Sequence, residues 1–260
     1  MLKKVTLLYF SSTKTTQKNL RAIAEGMGCP VTEVDFTLPQ NRQQDLHFDQ
    51  DDFVIFGCPV YGGLMPLLVR EYIQQHVTAT QTGCAVVAVY GNRHFDDCLV
   101  EMEDLMTEQG FVVTAAAACL GEHSYTTKIA TGRPDAQDLA WAKEFGKQLA
   151  GKLEAPVQPL EKGKIPGNRP YRERKPSAPM APENTNGCIK CGLCVKNCPV
   201  GAIDPQDPGK VDASKCLKCL SCVRLCPLGS KAFTSEAFQG SVAWCLANFQ
   251  EPRKEPISIL

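Results

Sequence analysis

The sequence predicts a two-part α/β chain: a doubly wound parallel sheet of five strands, then a second, small α+β domain. Three observations lead there. Apolar runs alternate with amphipathic stretches over residues 3–151, and strands alternating with helices form a parallel sheet covered on both faces. A stretch rich in proline and charge follows over residues 152–183. Beyond it, eight cysteines repeat one short spacing twice between residues 188 and 226.

The elements follow in order. Val5 to Phe10 reads as a buried strand, and residues 14–26 as a helix ended near Gly26 or Gly28. Val31 to Asp35 is the second strand. Residues 36–51, polar and carrying Pro39, read as a loop with at most a short helix. Asp52 to Gly57 is the third strand, residues 65–76 a helix, Cys84 to Tyr90 the fourth strand, residues 95–109 a helix and Phe111 to Ala118 the fifth strand. A helix over 135–151, with Asp135 near its start, closes this part. The expected organisation is an N-terminal domain at 1–151, a basic linker at 152–183, a cysteine-rich domain at 184–238 and a tail at 239–260. A helix over 236–249 places Phe238, Val242, Cys245 and Phe249 on one side, for packing against another part of the fold. The linker reads as a solvated tether or, with Lys162, Lys164, Arg169, Arg172, Arg174 and Lys175, as a strap docking onto an acidic surface.

The cysteine sets read Cys188-x-x-Cys191-x-x-Cys194-x-x-x-Cys198-Pro199 and Cys216-x-x-Cys219-x-x-Cys222-x-x-x-Cys226-Pro227. Each cysteine of the second lies 28 positions after its counterpart in the first. Three thiolates at this interval come from one tight loop and hold three irons of a cubane, and the fourth ligand arrives from elsewhere. Zinc sites prefer two separated pairs of ligands. A disulfide framework suits a small secreted domain, and no secretory signal is read here. The runs resemble those of bacterial two-cluster ferredoxins, in which the fourth cysteine of each run ligates the other cluster. That resemblance implies two [4Fe-4S] clusters, one on Cys188, Cys191, Cys194 and Cys226, the other on Cys216, Cys219, Cys222 and Cys198. Pro199 and Pro227 turn the chain away and shield the fourth ligands. Cys29, Cys58, Cys84, Cys98, Cys119 and Cys245 read as small buried apolar groups.

A parallel sheet binds its ligand outside the carboxyl ends of its strands. After the first strand come Ser11, Ser12, Thr13, Lys14, Thr15 and Thr16, which place hydroxyls and N–H groups at a helix N-terminus where an anion is favoured. The loop is neither a Walker loop nor a dinucleotide fingerprint. It suits a terminal phosphate monoester; an ordinary helix cap is the alternative. After the third strand come Pro59, Val60, Tyr61, Gly62 and Gly63, and at the end of the fourth Tyr90, Gly91, Asn92 and Arg93.

These three loops resemble those of flavodoxins. The order of flavodoxin-like domain, linker and two-cluster ferredoxin, with the stretches Glu122–Tyr125 and Ile129–Asp135, resembles the fused flavodoxin–ferredoxin (EFR1) family. The resemblance implies a flavodoxin-like sheet with strand order 2-1-3-4-5 and an FMN. Its phosphate would sit on Ser11 to Thr16, and its ring between Tyr61-Gly62-Gly63 and Gly91-Asn92-Arg93, with His123 or Tyr125 within reach. Lys14 stands where flavodoxins have glycine; if φ is positive there, lysine costs about 1 kcal/mol, offset in part if Lys14 pairs with the phosphate.

The formal charge is zero but uneven: residues 1–151 carry 12 basic and 18 acidic side chains, residues 152–187 carry 7 and 4, residues 188–260 carry 9 and 6. Nothing is basic enough for nucleic acid, and no stretch approaches the roughly 20 apolar residues that span a bilayer. Unpaired thiols and oxygen-sensitive clusters suit a reducing cytoplasm, that of an anaerobe. The leading expectation is an electron relay between clusters and FMN, serving a redox protein or a small acceptor, with a homodimer compatible. The alternatives are an FMN-dependent reductase fed by the clusters, and a ferredoxin with a non-flavin docking domain.

Overall fold

The structure is a computed structural model and describes residues 4–175, 178–185 and 187–260. Residues 1–3 of the expected N-terminal domain, residues 176–177 of the expected linker and residue 186 lie outside the described residues. The chain runs β1 (Val5–Tyr9), α1 (Thr15–Met27), β2 (Val31–Asp35), a 3-10 turn (Pro39–Asn41), β3 (Leu46–Phe48), β4 (Phe53–Pro59), α2 (Leu67–His76), β5 (Val77–Ala79), β6 (Thr82–Tyr90), α3 (Cys98–Glu108), β7 (Phe111–Leu120) and α4 (Ala136–Lys152). Then follow β8 (Glu183–Asn184), α5 (Leu193–Lys196), α6 (Ser221–Leu225), β9 (Lys231–Ala232), α7 (Glu236–Phe249) and β10 (Ile257–Ile259).

The main sheet has the order β2-β1-β4-β6-β7-β10. Its five parallel strands stand in the flavodoxin-like order 2-1-3-4-5. All of β1 and β6 is buried, as is β7 apart from one residue, which is why these strands read as continuous apolar runs rather than alternating ones. One face packs Phe56, Val86 and Ala118 beneath α2 and α3. The other packs Leu7, Ile55 and Val87 beneath α1 and α4, with Leu20, Ile23 and Phe145. Burying one such side chain contributes about 1.5–3 kcal/mol. The Asp135 carboxylate accepts from the Gln137 and Asp138 N–H groups and caps α4.

Three expectations change. Residues 36–51 are more than a loop, because β3 pairs in parallel with β5 beside the main sheet. The tail continues past its helix into a sixth strand: β10 lies antiparallel on β7, with Ile257 opposite Ala118. The described part of 152–183 is no solvated tether. Leu160 and Ile165 enter the apolar core, and the Leu160 N–H donates to the Val113 carbonyl at 2.8 Å. The Asn168 N–H donates to the Asp97 carboxylate at 2.8 Å, and the Arg169 guanidinium pairs with Asp104 and Glu103. Arg174 closes on Glu101, which is 1% exposed and also holds Arg70 and the Met65 N–H. Basic side chains lie along acidic α3, so charge complementarity draws the strap down and two apolar anchors hold it. No helix of the described residues is long and apolar enough to cross a membrane.

Candidate cofactor sites

The first site is a cleft of about 870 Å³ at the carboxyl ends of β1, β4 and β6, within the range of small-molecule pockets. Of the loop residues expected there, Ser11, Ser12, Thr13, Thr15, Thr16, Pro59, Val60, Tyr61, Gly62, Gly63, Tyr90, Gly91 and Arg93 line it, joined by His123 and Tyr125. The β1 loop is held in shape from behind. The Ser11 N–H donates to Thr37 Oγ1 at 2.8 Å, and Ser11 Oγ accepts from the Gln17 N–H at 3.1 Å. Thr16 Oγ1 is buried in the first turn of α1 and has no hydrogen-bond partner among the described residues. A buried hydroxyl left unpaired costs about 1–3 kcal/mol, and an anion at this helix terminus would accept its proton. A buried donor at a helix N-terminus fits a phosphate.

Two expected residues sit elsewhere. Lys14 has φ 65°, the left-handed conformation that glycine tolerates best; its ammonium lies 3.4 Å from Asp35 and away from the cleft. Asn92, φ 60°, is also left-handed, and turns its side chain into the C-terminal tail. Its amide donates to the Phe249 and Pro252 carbonyls and its oxygen accepts from the Lys254 N–H. It clamps the tail because those three groups need partners where the chain bends back towards β10.

Tyr61 faces Ser12, with hydroxyls 3.2 Å apart, and loss of solvent, then the nearby Cys219, pushes its phenol well above the usual range. Gly63 is required: at φ 88° a Cβ would lie 2.2 Å from the Asp96 carboxylate. His123 is pulled down to about 4 by burial, then by Arg224 and Arg93, so it is neutral near pH 7.

The second site is a pair of similar cavities in the cysteine-rich part. One is lined by Cys188, Cys191 and Cys194 together with Cys226 and Pro227. The other is lined by Cys216, Cys219 and Cys222 together with Cys198 and Pro199. Each cavity thus gathers three cysteines of one run and the fourth of the other. Backbone donors repeat as well: the Ala202 N–H reaches Cys198 Sγ at 3.3 Å and the Ser230 N–H reaches Cys226 Sγ at 3.2 Å, each four residues on. Ser230 Oγ is buried beside the first cavity without a partner among the described residues. Among the described residues no group of three or more such side chains is gathered as for a single ion. The thiols stand around a volume rather than a point, and a cubane fits that arrangement.

The two sites adjoin. Cys216, Leu217 and Lys218 form part of the cleft wall. The Arg42 guanidinium donates to the Pro199 carbonyl at 2.7 Å. Arg224 pairs with Glu122 and donates to the His123 carbonyl at 2.6 Å. Sequence reasoning missed this wall, and with it Arg174, Lys175, Ala178 and Pro179 of the strap. The uneven charge was the one signal towards the strap. Cys58, Cys84, Cys98 and Cys119 are buried core groups and Cys29 is half-buried, whereas Cys245, also buried, reaches the cleft.

Residues 187–230 match the model of the 4Fe-4S dicluster domain. A 4Fe-4S dicluster region thus follows a flavodoxin-like layer. The order of these two parts is the one expected from the sequence resemblance. Among solved structures the chain is similar to a flavodoxin from the domain Archaea, with 16% identity over 58% of this chain and 99% of that one, TM-score 0.43. It is similar to the Flv1 flavodiiron core of Synechocystis, with 20% identity and TM-score 0.42, over 59% of this chain but only 36% of that one. It is also similar to two-electron reduced Megasphaera elsdenii flavodoxin, with 17% identity over 56% of this chain and 98% of that one, TM-score 0.39. The fold assignment itself rests on the strand order.

Proposed function

We propose that this chain relays single electrons between two [4Fe-4S] clusters and an FMN, in a soluble cytoplasmic protein. The observation that carries the reading is the shared wall: Cys216, Leu217 and Lys218 of the second cysteine run line the same cleft as Ser11 to Thr13 and Tyr61. When bound, the clusters exchange single electrons and FMN takes one or two.

The residues have separable tasks. Cys188, Cys191, Cys194 and Cys226 would hold one cluster; Cys216, Cys219, Cys222 and Cys198 the other. The Ala202 and Ser230 N–H groups lend positive charge to the fourth thiolate of each run, a lever on cluster potential. Ser11 to Thr16 would take the phosphate, with Thr16 donating and Lys14 held back at Asp35. Tyr61 and Gly63 would flank the ring on one side, Gly91 and Arg93 on the other. The wall of Cys216 to Lys218, with Pro179 and Cys245, narrows access to the cleft, which favours a relay over reduction of a free substrate.

Anaerobic reconstitution tests the reading. Fully loaded protein should hold about eight irons and one FMN, and stopped-flow reduction should show cluster bleaching followed by flavin bleaching in the same molecule. Flavin that stays oxidised beside reduced clusters would defeat it. Thr16→Ala should weaken FMN binding about tenfold while leaving riboflavin affinity unchanged; equal loss for both would remove the phosphate assignment.

A further inference from the structure

The two cysteine runs are alike in sequence and in backbone. Lys190 and Lys218, 28 positions apart, share φ near +50°, at 52° and 54°. Gly192 and Leu220 are both left-handed and start α5 and α6. Yet the runs meet different surroundings. In the second, Leu217 packs on the core of the α/β layer, the Lys218 ammonium donates to the Ala178 carbonyl at 2.9 Å, and Arg224 pairs with Glu122. In the first, the counterparts Ile189, Lys190 and Lys196 are exposed, Ile189 by 67%. The cysteines follow suit: Cys219 is buried, next to the Cys216 to Lys218 stretch that lines the cleft, whereas Cys191 is exposed.

The exposed face is apolar at its centre. Ile189, Leu193 and Leu228 surround the first cavity, exposed by 67%, 43% and 52%. Leu225, 44% exposed, ends α6, which packs on α5. Residues 187–200 and 213–235 carry no carboxylate, so the cations of this face have no acidic side chain within either run to offset them. A contiguous apolar patch over a redox centre marks a docking surface.

We infer that a small acidic one-electron carrier protein docks on this face, over the cluster held by Cys191, and exchanges electrons there. The chain itself shows what such a face accepts. Through the equivalent three side chains the second run binds a surface offering a carboxylate, carbonyl oxygens and an apolar seat. An acidic carrier presents the same groups. In a second copy that particular seat is already filled, because its Glu122 is held by its own Arg224. The inference rests on the proposed relay: the second run faces the internal flavin and the first, its duplicate, faces the external partner.

The test uses fully loaded protein and a strongly acidic bacterial-type ferredoxin, anaerobically. Binding is measured by calorimetry at low and high salt, and reduction by stopped flow with the reduced ferredoxin or with dithionite. Lys196→Glu combined with Leu225→Glu alters the face without touching a residue that lines the cluster cavity. The wild type should bind the ferredoxin, more weakly at high salt. The double variant should bind and be reduced by it at least about tenfold less well. Its iron content and its reduction by dithionite should match the wild type. Equal ferredoxin binding by wild type and variant, no binding by either, or a wild-type dimer in sedimentation velocity that the variant dissolves would each overturn the inference. Failure of the relay itself reads differently: dithionite-reduced clusters leave the flavin oxidised while the ferredoxin still binds.

Discussion

The α/β layer buries two extensive apolar clusters, one on each face of its sheet. The cysteine-rich part gathers one small cluster around Leu220, Phe233 and Phe238, supported by Tyr125 and Met180 from outside the runs. The first can hold itself by burial alone. The second is too small for that, and domains of its size depend on metal or cross-links for part of their stability. The difference teaches that iron–sulfur clusters bound here would serve as core as well as cofactor, since metal binding energy becomes folding energy when no site exists in the unfolded chain.

The largest expected effect follows from this contrast. Anaerobic removal of iron should abolish amide-exchange protection across residues 187–235 and leave β1, β4 and β6 protected. If the iron-free cysteine-rich part keeps native protection, its protein core is sufficient and the contrast breaks.

The next test asks whether the strap belongs to the layer. Arg174→Met leaves the buried Glu101 carboxylate with Arg70 and one N–H, and should cost about 3 kcal/mol in urea unfolding. Arg169→Ala, which removes only partly exposed pairs, should cost about 1 kcal/mol or less. Equal costs would mean the strap is a surface feature.

The smallest effect lies on the seam. His123 has its usual value near 6.5 when unfolded and about 4 when folded. Between those values the unfolded chain binds more protons, so stability falls as pH drops from about 6.5 towards 4. From pH 7.5 to 5.5 the loss from this group should be about 1 kcal/mol, and His123→Gln should remove it. A variant with the wild-type pH slope would assign that slope to other groups.

Much of the site was legible because its signals are local. Eight cysteines at fixed spacing specify loops that curl around a cubane, and Ser11 to Thr16 after a buried strand specify an anion-ready helix start. Those need only short-range backbone geometry. Lys14 and Asn92 were expected in the cleft because their sequence neighbours line it. Their own partners, Asp35 and the tail carbonyls, are remote in sequence, so nothing near them announced the turn away. Ile257-Ser258-Ile259 was too short to declare itself a strand before Ala118 lay beside it.

The amino-acid sequence by itself determined a parallel α/β layer, a duplicated cysteine unit and the loops that come to line the cleft, because periodicity and spacing act over a few residues. Only the tertiary structure decided that the basic strap lies along α3, that the tail adds a sixth strand, and that the second cysteine run, not the first, faces the cleft at the carboxyl ends of β1, β4 and β6. The two runs share one spacing, so no local feature distinguishes them. What breaks their equivalence is which face the rest of the chain happens to cover, and that depends on surfaces brought together from opposite ends of the molecule.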